Sequence, residues 1–291
     1  MNDTKGSETS RRMFGKLVAT SALGAAMVVA TRGGAVAQEV AQGARIAQIK
    51  ERGVLRVAAP VGEPPYFVKD IKSGTLIGAC VDMANDIAQI LGVKTQFVDS
   101  TWGDQIIQLQ TDKVDIGMAS SLTPARALSV SFSKPYFQQG FGIIVKPSFE
   151  AASWSDINKP EVRVAVDMGS TQETAIRQNA PNATVTAFPK RDDVILALQS
   201  GRADCGSFAV VPGLTAVRKV PNLGRFIMLE SPRVTMPTGL VIAKGADREW
   251  RDFLDIWVEY NRSSGQISRW MRGGLALSGI TDADIPQSVD F

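Results

Sequence analysis

The sequence of 291 residues contains no histidine and only two cysteines, Cys80 and Cys205. The lack of histidine excludes a Ser-His-Asp triad, a Cys-His pair, an H-E-x-x-H zinc site and any histidine proton shuttle. The sequence also has no P-loop and no G-x-G-x-x-G motif. Catalysis by carboxylates stays open, but the acidic residues show no spacing typical of it. We therefore expect no catalytic residue, no metal site and no cofactor.

An excess of basic charge is also absent once the N-terminal segment is set apart. The first 37 residues hold five of the 32 basic and two of the 29 acidic residues, so 27 of each remain. A protein that binds nucleic acid needs a basic surface. The balanced charge of the remainder indicates no nucleic-acid partner.

The first 37 residues have the pattern of an export signal. The segment Ser10-Arg-Arg-Met-Phe-Gly-Lys16 matches a twin-arginine signal, residues 17–31 are uncharged, and Ala35-Val-Ala37 is a small-x-small cleavage site. The uncharged run is too short and too rich in Ala, Gly and Thr for a good membrane span, although an uncleaved anchor is the alternative. We expect cleavage before Gln38, twin-arginine export and location in the periplasm.

The segment from Val114 to Tyr136 predicts an anion-binding site. A buried strand leads into small hydroxyl residues, Thr123 is a good helix N-cap, and Pro124 suits the first helical position. Arg126 then falls in the first turn, near backbone N–H groups without helical partners. Ser121, Thr123 and these amides could surround a carboxylate that Arg126 binds in a bidentate manner. The alternatives are a capped surface helix and a structural salt bridge.

Strands and helices alternate along the rest of the chain, which predicts an α/β protein with mostly parallel sheets and ligands bound beyond the carboxyl ends of the strands. The predicted strands are 54–59, 95–98, 114–119, 162–166, 184–187, 205–211 and 238–244. The predicted helices are 44–52, 81–91, 102–110, 171–178, 192–200, 247–260 and 267–271.

Six groups of motifs stand in a fixed order. They are Leu55-Arg-Val-Ala with Pro64-Pro-Tyr-Phe67, Gly78-Ala-Cys-Val-Asp82, Trp102-Gly-Asp-Gln-Ile-Ile-Gln-Leu-Gln110, Lys113-Val-Asp-Ile-Gly117, Leu122-Thr-Pro-Ala-Arg126 and Phe132-Ser-Lys-Pro-Tyr136. Residues 55–275 thereby resemble the amino-acid-type periplasmic solute-binding proteins of ABC importers, solute-binding protein family 3.

This resemblance implies a type II periplasmic binding protein, with two parallel-sheet lobes joined by two hinge strands. Lobe 1 would comprise residues 38–143 and 238–291, and lobe 2 residues 144–237. The lobes would close over the ligand by hinge motion. Because Cys80 and Cys205 would lie in different lobes, we expect two free, buried thiols rather than a disulfide.

The resemblance also implies the residues that bind the ligand carboxylate. Arg126 would be the clamp, Ser121 would supply a hydroxyl and an N–H, and Ser120 a backbone carbonyl. On the opposing lobe, Gly169 would allow close approach, and the amides of Ser170 and Thr171 would direct a helix N-terminus at the carboxylate. The spacing of Ser170 and Glu173 also fits a capping box, and both roles are compatible.

The mouth of lobe 1, Glu63-Pro-Pro-Tyr-Phe67, would lie over the ligand. Tyr66, Phe67 and Trp102 are candidates to stack on it, with core packing as the alternative.

The chain departs from the family at Ala209, five residues beyond Asp204 of the Gly201-Arg-Ala-Asp204 turn. Amino-acid-binding members usually have an aspartate there that receives the α-ammonium group of the ligand. Either Glu63 or Asp167 replaces it, with Ser207 as a neutral hydrogen-bonding partner, or the ligand lacks an α-ammonium group.

The function implied is a monomeric periplasmic receptor that delivers a small carboxylate solute, an amino acid or a close relative, to an inner-membrane ABC permease. The alternative is an enzyme resembling cyclohexadienyl dehydratase on the same fold, because fold alone does not determine function. The sensory module of a larger receptor is a third alternative, but the sequence shows no signalling domain.

Overall fold

The structure is a computed structural model that describes residues 44–245, 248–285, 289 and 291. These residues belong to one compact unit, residues 43–291. The predicted export signal lies outside the described residues. Within them, no helix combines the length and the apolar character needed to cross a membrane.

The first half-sheet is built from parallel strands with helices between them. Strand β1 (Val54–Ala59) lies between β4 (Lys94–Asp99) and β5 (Ile116–Ser121) and is parallel to both, whereas β2 (Val68–Lys69) and β3 (Leu76–Ile77) form a separate antiparallel pair. In chain order the elements are α1 (Arg45–Arg52), β1 (Val54–Ala59), β2 (Val68–Lys69), β3 (Leu76–Ile77), α2 (Ala79–Leu91), β4 (Lys94–Asp99), α3 (Asp104–Gln110), β5 (Ile116–Ser121) and α4 (Pro124–Ala127).

The second half-sheet repeats this design with β7 between β8 and β9, again in parallel. Its elements are α5 (Trp154–Ile157), β7 (Arg163–Asp167), α6 (Thr171–Asn179), β8 (Thr184–Phe188), α7 (Arg191–Gln199), β9 (Cys205–Ala209), α8 (Val210–Lys219) and β10 (Arg225–Met228).

Two long strands connect the half-sheets. Strand β6 (Val130–Val145) and strand β11 (Thr235–Ala243) are antiparallel to one another, and β11 also pairs with β5. The residues of β6 that pair with β11 end at Gly140, and those that pair with β9 begin at Phe141. One continuous strand therefore belongs to both half-sheets.

The C-terminal helices α9 (Arg248–Ser263) and α10 (Gln266–Ala276) cover the first half-sheet, where Trp250, Leu254 and Met271 join its buried core.

Two glycines have clear structural roles. For α2, Gly92 adopts φ 73° at the C-cap, a conformation that favours glycine. Gly142 in β6 is required by packing, because a Cβ there would collide with the carbonyl oxygen of Ile227.

Sequence and structure differ after β9. The strand predicted to reach Val211 ends at Ala209, and α8 begins at Val210. Pro212 lies in the first turn of α8, where a missing N–H costs no helical hydrogen bond.

Cys80 and Cys205 are both free and buried, which confirms the prediction of two free, buried thiols.

Candidate functional site

Arg126 is positioned by the capped turn between β5 and β6. Strand β5 ends at Ser121, and the hydroxyl of Thr123 accepts a hydrogen bond of 3.2 Å from the backbone N–H of Arg126. The guanidinium folds back so that its Nη1 donates to the carbonyl oxygen of Ser121 at 3.3 Å. The predicted N-cap is confirmed.

The guanidinium of Arg126 also reaches the second half-sheet. Its Nη2 donates to the carbonyl oxygen of Gly169 at 3.1 Å. Arg126 forms no salt bridge with an acidic side chain of the described residues, and burial lowers its pKa from the ordinary value. The two backbone carbonyls are therefore the partners of its guanidinium in the part of the chain that the structure describes.

The N-terminus of α6 faces Arg126. The hydroxyl of Ser170 accepts from the backbone N–H of Glu173 at 3.1 Å, and the Glu173 carboxylate accepts from the N–H of Gly169 at 2.8 Å. The predicted cap is thus present, with the return bond shifted by one residue. The hydroxyl of Thr171 lies 3.1 Å from that of Ser121, which joins the two half-sheets by a buried hydrogen bond.

Two glycines meet across the cleft. Gly169 adopts φ 70°, and a Cβ on it would lie 3.1 Å from the Cα of Gly103. A Cβ on Gly103 would lie 3.4 Å from the carbonyl oxygen of Met168. The absence of side chains at both positions allows the backbones of the two half-sheets to approach closely.

These residues surround a small cavity, which we call the clamp cavity, with a volume of about 20 Å³. It is too small for any amino acid, so a ligand must separate the two half-sheets or move side chains to enter. No acidic side chain from the described part of the chain lines it. Its lining consists of Trp102, Ala119, Ser121, Arg126, Gln139, Ser170, Thr171, Gln172, Arg191 and Pro212.

A larger cavity of about 410 Å³, which we call the acidic chamber, lies beside the clamp cavity. Trp102 and Arg191 line both cavities. The charged residues that line the acidic chamber are Glu63, Asp99, Asp104, Asp167, Lys190, Arg191 and Asp192. Five of these seven side chains are acidic.

Three charged side chains of the chamber are buried together. Glu63, Asp167 and Arg191 are 5%, 3% and 7% exposed. Arg191 forms an ion pair with Asp167, and its Nη2 lies 3.5 Å from Oε2 of Glu63. The face of the guanidinium rests on the ring of Phe208, 4.6 Å from the ring centroid. Arg191 therefore links the mouth loop of the first half-sheet to the end of β7 in the second.

Burial shifts the ionisation of this group. It raises the pKa of Glu63 to about 7, against the attraction of Arg191 and with added repulsion from Asp167. Burial also raises the pKa of Asp167, and the attraction of Arg191 opposes this rise. One arginine thus faces two acids that are both harder to ionise than usual.

The aromatic residues of the mouth loop lie in the core. Tyr66 and Phe67 are fully buried, and neither lines a described cavity. Phe67 packs edge-on against Phe97, and Tyr66 against Trp102, with ring centroids 6.0 Å apart in the second pair. The structure brings only Trp102 of the three stacking candidates to the cavities.

Three other candidates are buried around the site. Ala209 packs in the apolar core of the second half-sheet beside Phe141, and it lines neither cavity. The Ser120 hydroxyl has no hydrogen-bond partner, whereas that of Ser207 donates to the carbonyl oxygen of Gly142 at 3.5 Å. The position of Ala209 therefore supplies neither a carboxylate nor part of the wall of either cavity.

Sequence reasoning missed Arg191, Gln139 and Gln172. Arg191 is the first residue of α7, directly beyond the carboxyl end of β8. The rule that ligands bind beyond the carboxyl ends of parallel strands could have identified it. Gln139 lies in a long strand and Gln172 follows the Ser170 cap, so neither has a local sequence pattern that indicates a binding role.

Within the described residues, no group of three or more acidic or cysteine side chains could hold a metal ion.

Known proteins resemble this chain over most of its length. The model of the bacterial extracellular solute-binding proteins, family 3, matches residues 55–272. Cyclohexadienyl dehydratase of Pseudomonas aeruginosa is 27% identical over 238 residues, which are 81% of this chain and 87% of that protein. The ABC transporter glutamine-binding protein GlnH of Bacillus subtilis is 29% identical over 69% of this chain and 73% of its own.

The similarity extends to solved structures. The crystal structure of the ancestral amino acid-binding protein AncCDT-1, a precursor of cyclohexadienyl dehydratase, is 31% identical and superposes with a TM-score of 0.72. The match covers 79% of this chain and 99% of that one. This confirms the predicted fold, the two-lobed α/β fold of type II periplasmic binding proteins.

Proposed function

Because this chain belongs to the bacterial extracellular solute-binding proteins, family 3, we propose that it is a periplasmic receptor for a small carboxylate solute, an amino acid or a close relative. It presents this solute to an inner-membrane ABC permease. The binding proteins for glutamine and L-cystine among its relatives support this solute class. The receptor role needs no catalytic group, metal or cofactor, and a monomer suffices.

One observation carries the proposal. Arg126 is half-buried, burial lowers the pKa of its guanidinium, and it lacks an acidic partner among the described residues. A buried charge without a counter-charge is unfavourable, so this arrangement favours binding of an external anion. The hydroxyls of Ser121, Ser170 and Thr171 line the same cavity and supply further hydrogen bonds to a carboxylate.

Binding of the solute is coupled to movement of two lobes. Lobe 1 comprises residues 38–143 and 238–291, and lobe 2 comprises residues 144–237. The Arg126 bond to Gly169 and the contact of Ser121 with Thr171 join these two parts of the chain. A carboxylate inserted at this point would replace both contacts with its own and hold the lobes closed.

Identification of the bound solute tests this function. Small molecules should be released from freshly purified, unrefolded protein and identified by mass spectrometry, and their binding should then be measured by calorimetry. We expect a carboxylate solute that binds at micromolar concentration or below. The proposal fails if no amino acid, oxo acid or other small carboxylate binds at millimolar concentration.

A second candidate function is an enzyme resembling cyclohexadienyl dehydratase. The similarity to that enzyme supports it, and so does Glu63, a buried carboxyl group in the cleft with a pKa raised to about 7 by burial. Such a group can hold and donate a proton near neutral pH. Incubation with prephenate or arogenate, with consumption of the substrate as readout, separates the candidates. Turnover that Glu63→Gln abolishes would establish the enzyme.

A further inference from the structure

The buried charges of the cleft are unequally distributed between its two cavities. In the acidic chamber, Glu63 and Asp167 share the single cation Arg191, and all three are more than nine-tenths buried. In the clamp cavity, Arg126 has no anionic partner among the described residues. One end of the cleft thus lacks a negative charge, and the other lacks a positive one.

The acidic end also has unused hydrogen-bonding capacity. Among the described residues, buried Oδ1 of Asp167 has no hydrogen-bond partner, and buried Oε2 of Glu63 meets Arg191 only at 3.5 Å. Burial of a carboxylate is unfavourable unless charges and hydrogen bonds compensate for it. A ligand that brings a cationic nitrogen with several N–H donors would supply both.

The two ends lie side by side. Trp102 and Arg191 line both the clamp cavity and the acidic chamber, so a molecule that is bound by Arg126 and extends past Trp102 would reach the two acids. Both acids line the acidic chamber.

From this arrangement we propose that Glu63 and Asp167 form the subsite for the cationic nitrogen of an amino-acid ligand whose carboxylate is bound by Arg126. Arg191 is the positioning residue that holds the two acids together across the cleft. This inference rests on the proposed function and adds the ligand's second anchor. The two acids would thus receive the ammonium group that an aspartate at the position of Ala209 usually receives in amino-acid-binding members of the family.

A ligand with two carboxylates is the main competing occupant. Nε and Nη1 of Arg191 also lack hydrogen-bond partners and could bind a second anion. The charges of Arg126, Arg191, Glu63 and Asp167 sum to zero when all four are ionised. A zwitterion preserves this balance, whereas a dicarboxylate would add two negative charges to a buried site. The charge balance therefore favours the amino acid.

The test uses matched ligands on the full chain. First, the amino acid that binds most tightly is selected from the twenty common ones by calorimetry. Its affinity is then compared with that of its 2-hydroxy analogue, which keeps the carboxylate and replaces the α-ammonium. Should arginine or lysine bind most tightly, the Nα-acetyl derivative shows whether the side-chain nitrogen is the one that is recognised.

The variants are Glu63→Gln and Asp167→Asn, which remove one charge each and keep the side-chain shape. Asp104→Asn is the matched control, because Asp104 lines the same chamber but is exposed. The wild type should prefer the cationic ligand by at least tenfold over its uncharged analogue. Each subsite variant should reduce this preference at least fivefold, and the control should leave it within twofold.

The binding ratio compares two ligands on the same variant, so a general loss of stability does not affect it. If one variant fails to fold, the other still gives the answer. The inference is overturned if the preference persists in both variants, or if succinate or glutarate binds more tightly than every amino acid. In those cases the proposed receptor function still stands, because it requires only Arg126 and a carboxylate. Failure of all carboxylates to bind overturns both.

Discussion

Nη2 of Arg126 donates a hydrogen bond of 3.1 Å to the carbonyl oxygen of Gly169, across the cleft between the two half-sheets. A guanidinium that binds a neutral carbonyl would bind a carboxylate more strongly, because hydrogen bonds between charged groups are stronger. The contact therefore marks where a carboxylate ligand would compete for Arg126.

Replacement of Arg126 by Ala should weaken binding of the carboxylate ligand by more than tenfold. Loss of a desolvated, charged hydrogen-bonding partner costs about 2 to 5 kcal/mol. The fold should persist, since the Arg126 guanidinium donates hydrogen bonds only to two backbone carbonyls among the described residues. Calorimetry checks this, with Arg202→Ala, which removes an arginine stacked on Phe188, as control. An affinity within twofold of the wild type would contradict the proposed clamp.

Replacement of Glu63 by Gln should flatten the pH dependence of stability. Because burial raises the pKa of Glu63 from 4.5 to about 7, the folded state binds its proton more tightly than the unfolded state. The resulting stabilisation is present below pH 4.5 and is lost as the pH rises through 7, by about 3 kcal/mol in all.

Urea denaturation of ligand-free protein at pH 5 and pH 8 measures this effect. The free energy of unfolding should fall less between these pH values in Glu63→Gln than in the wild type. Asp104→Asn, at the exposed rim of the chamber, serves as control and should follow the wild type. Parallel curves for Glu63→Gln and the wild type would show that Glu63 has an ordinary pKa.

Replacement of Gly103 by Leu should impair closure of the lobes while each lobe stays folded. Gly103 has helical φ and ψ values, −81° and −46°, which leucine adopts readily. Its side chain would project towards Met168 and Gly169, where the half-sheets meet. We expect ligand affinity to fall at least tenfold and small-angle scattering to show a larger radius of gyration.

The control for this variant is Gly273→Leu in α10, where a Cβ would have no neighbour within 4 Å. It should bind ligand as the wild type does. If Gly103→Leu binds normally, the contact between Gly103 and Gly169 does not limit closure.

Ligand should raise the melting temperature by several degrees. A ligand that binds only the folded state at about 100 times its dissociation constant adds roughly 2.7 kcal/mol of stability. A thermal-shift screen of amino acids, oxo acids and dicarboxylates checks this. Absence of any hit at millimolar concentration would exclude this solute class.

Replacement of both Arg11 and Arg12 by Lys should retain the precursor in the cytoplasm. The match to a twin-arginine signal depends on this pair. Cell fractionation followed by immunoblotting locates the protein. Normal delivery of the double variant to the periplasm would indicate the general secretion route.

The sequence by itself determined the architecture of this protein. Alternating strand and helix patterns predicted most elements to within a few residues, and the order of six groups of motifs indicated the family. The Thr123 cap and the Ser170 cap could be predicted because capping depends on residues three apart in the chain. The boundary between β9 and α8 was misplaced, since the apolar run from Ala209 to Val211 suits either element.

Only the tertiary structure decided how the charges of the site are paired. Glu63 lies in a loop, Asp167 ends β7 and Arg191 begins α7, and no local pattern shows that they meet. Their ionisation depends on burial and on distances of a few ångströms, which the fold as a whole determines. The same holds for Tyr66 and Phe67, because whether an aromatic side chain enters the core or the cleft depends on the packing of elements distant in sequence.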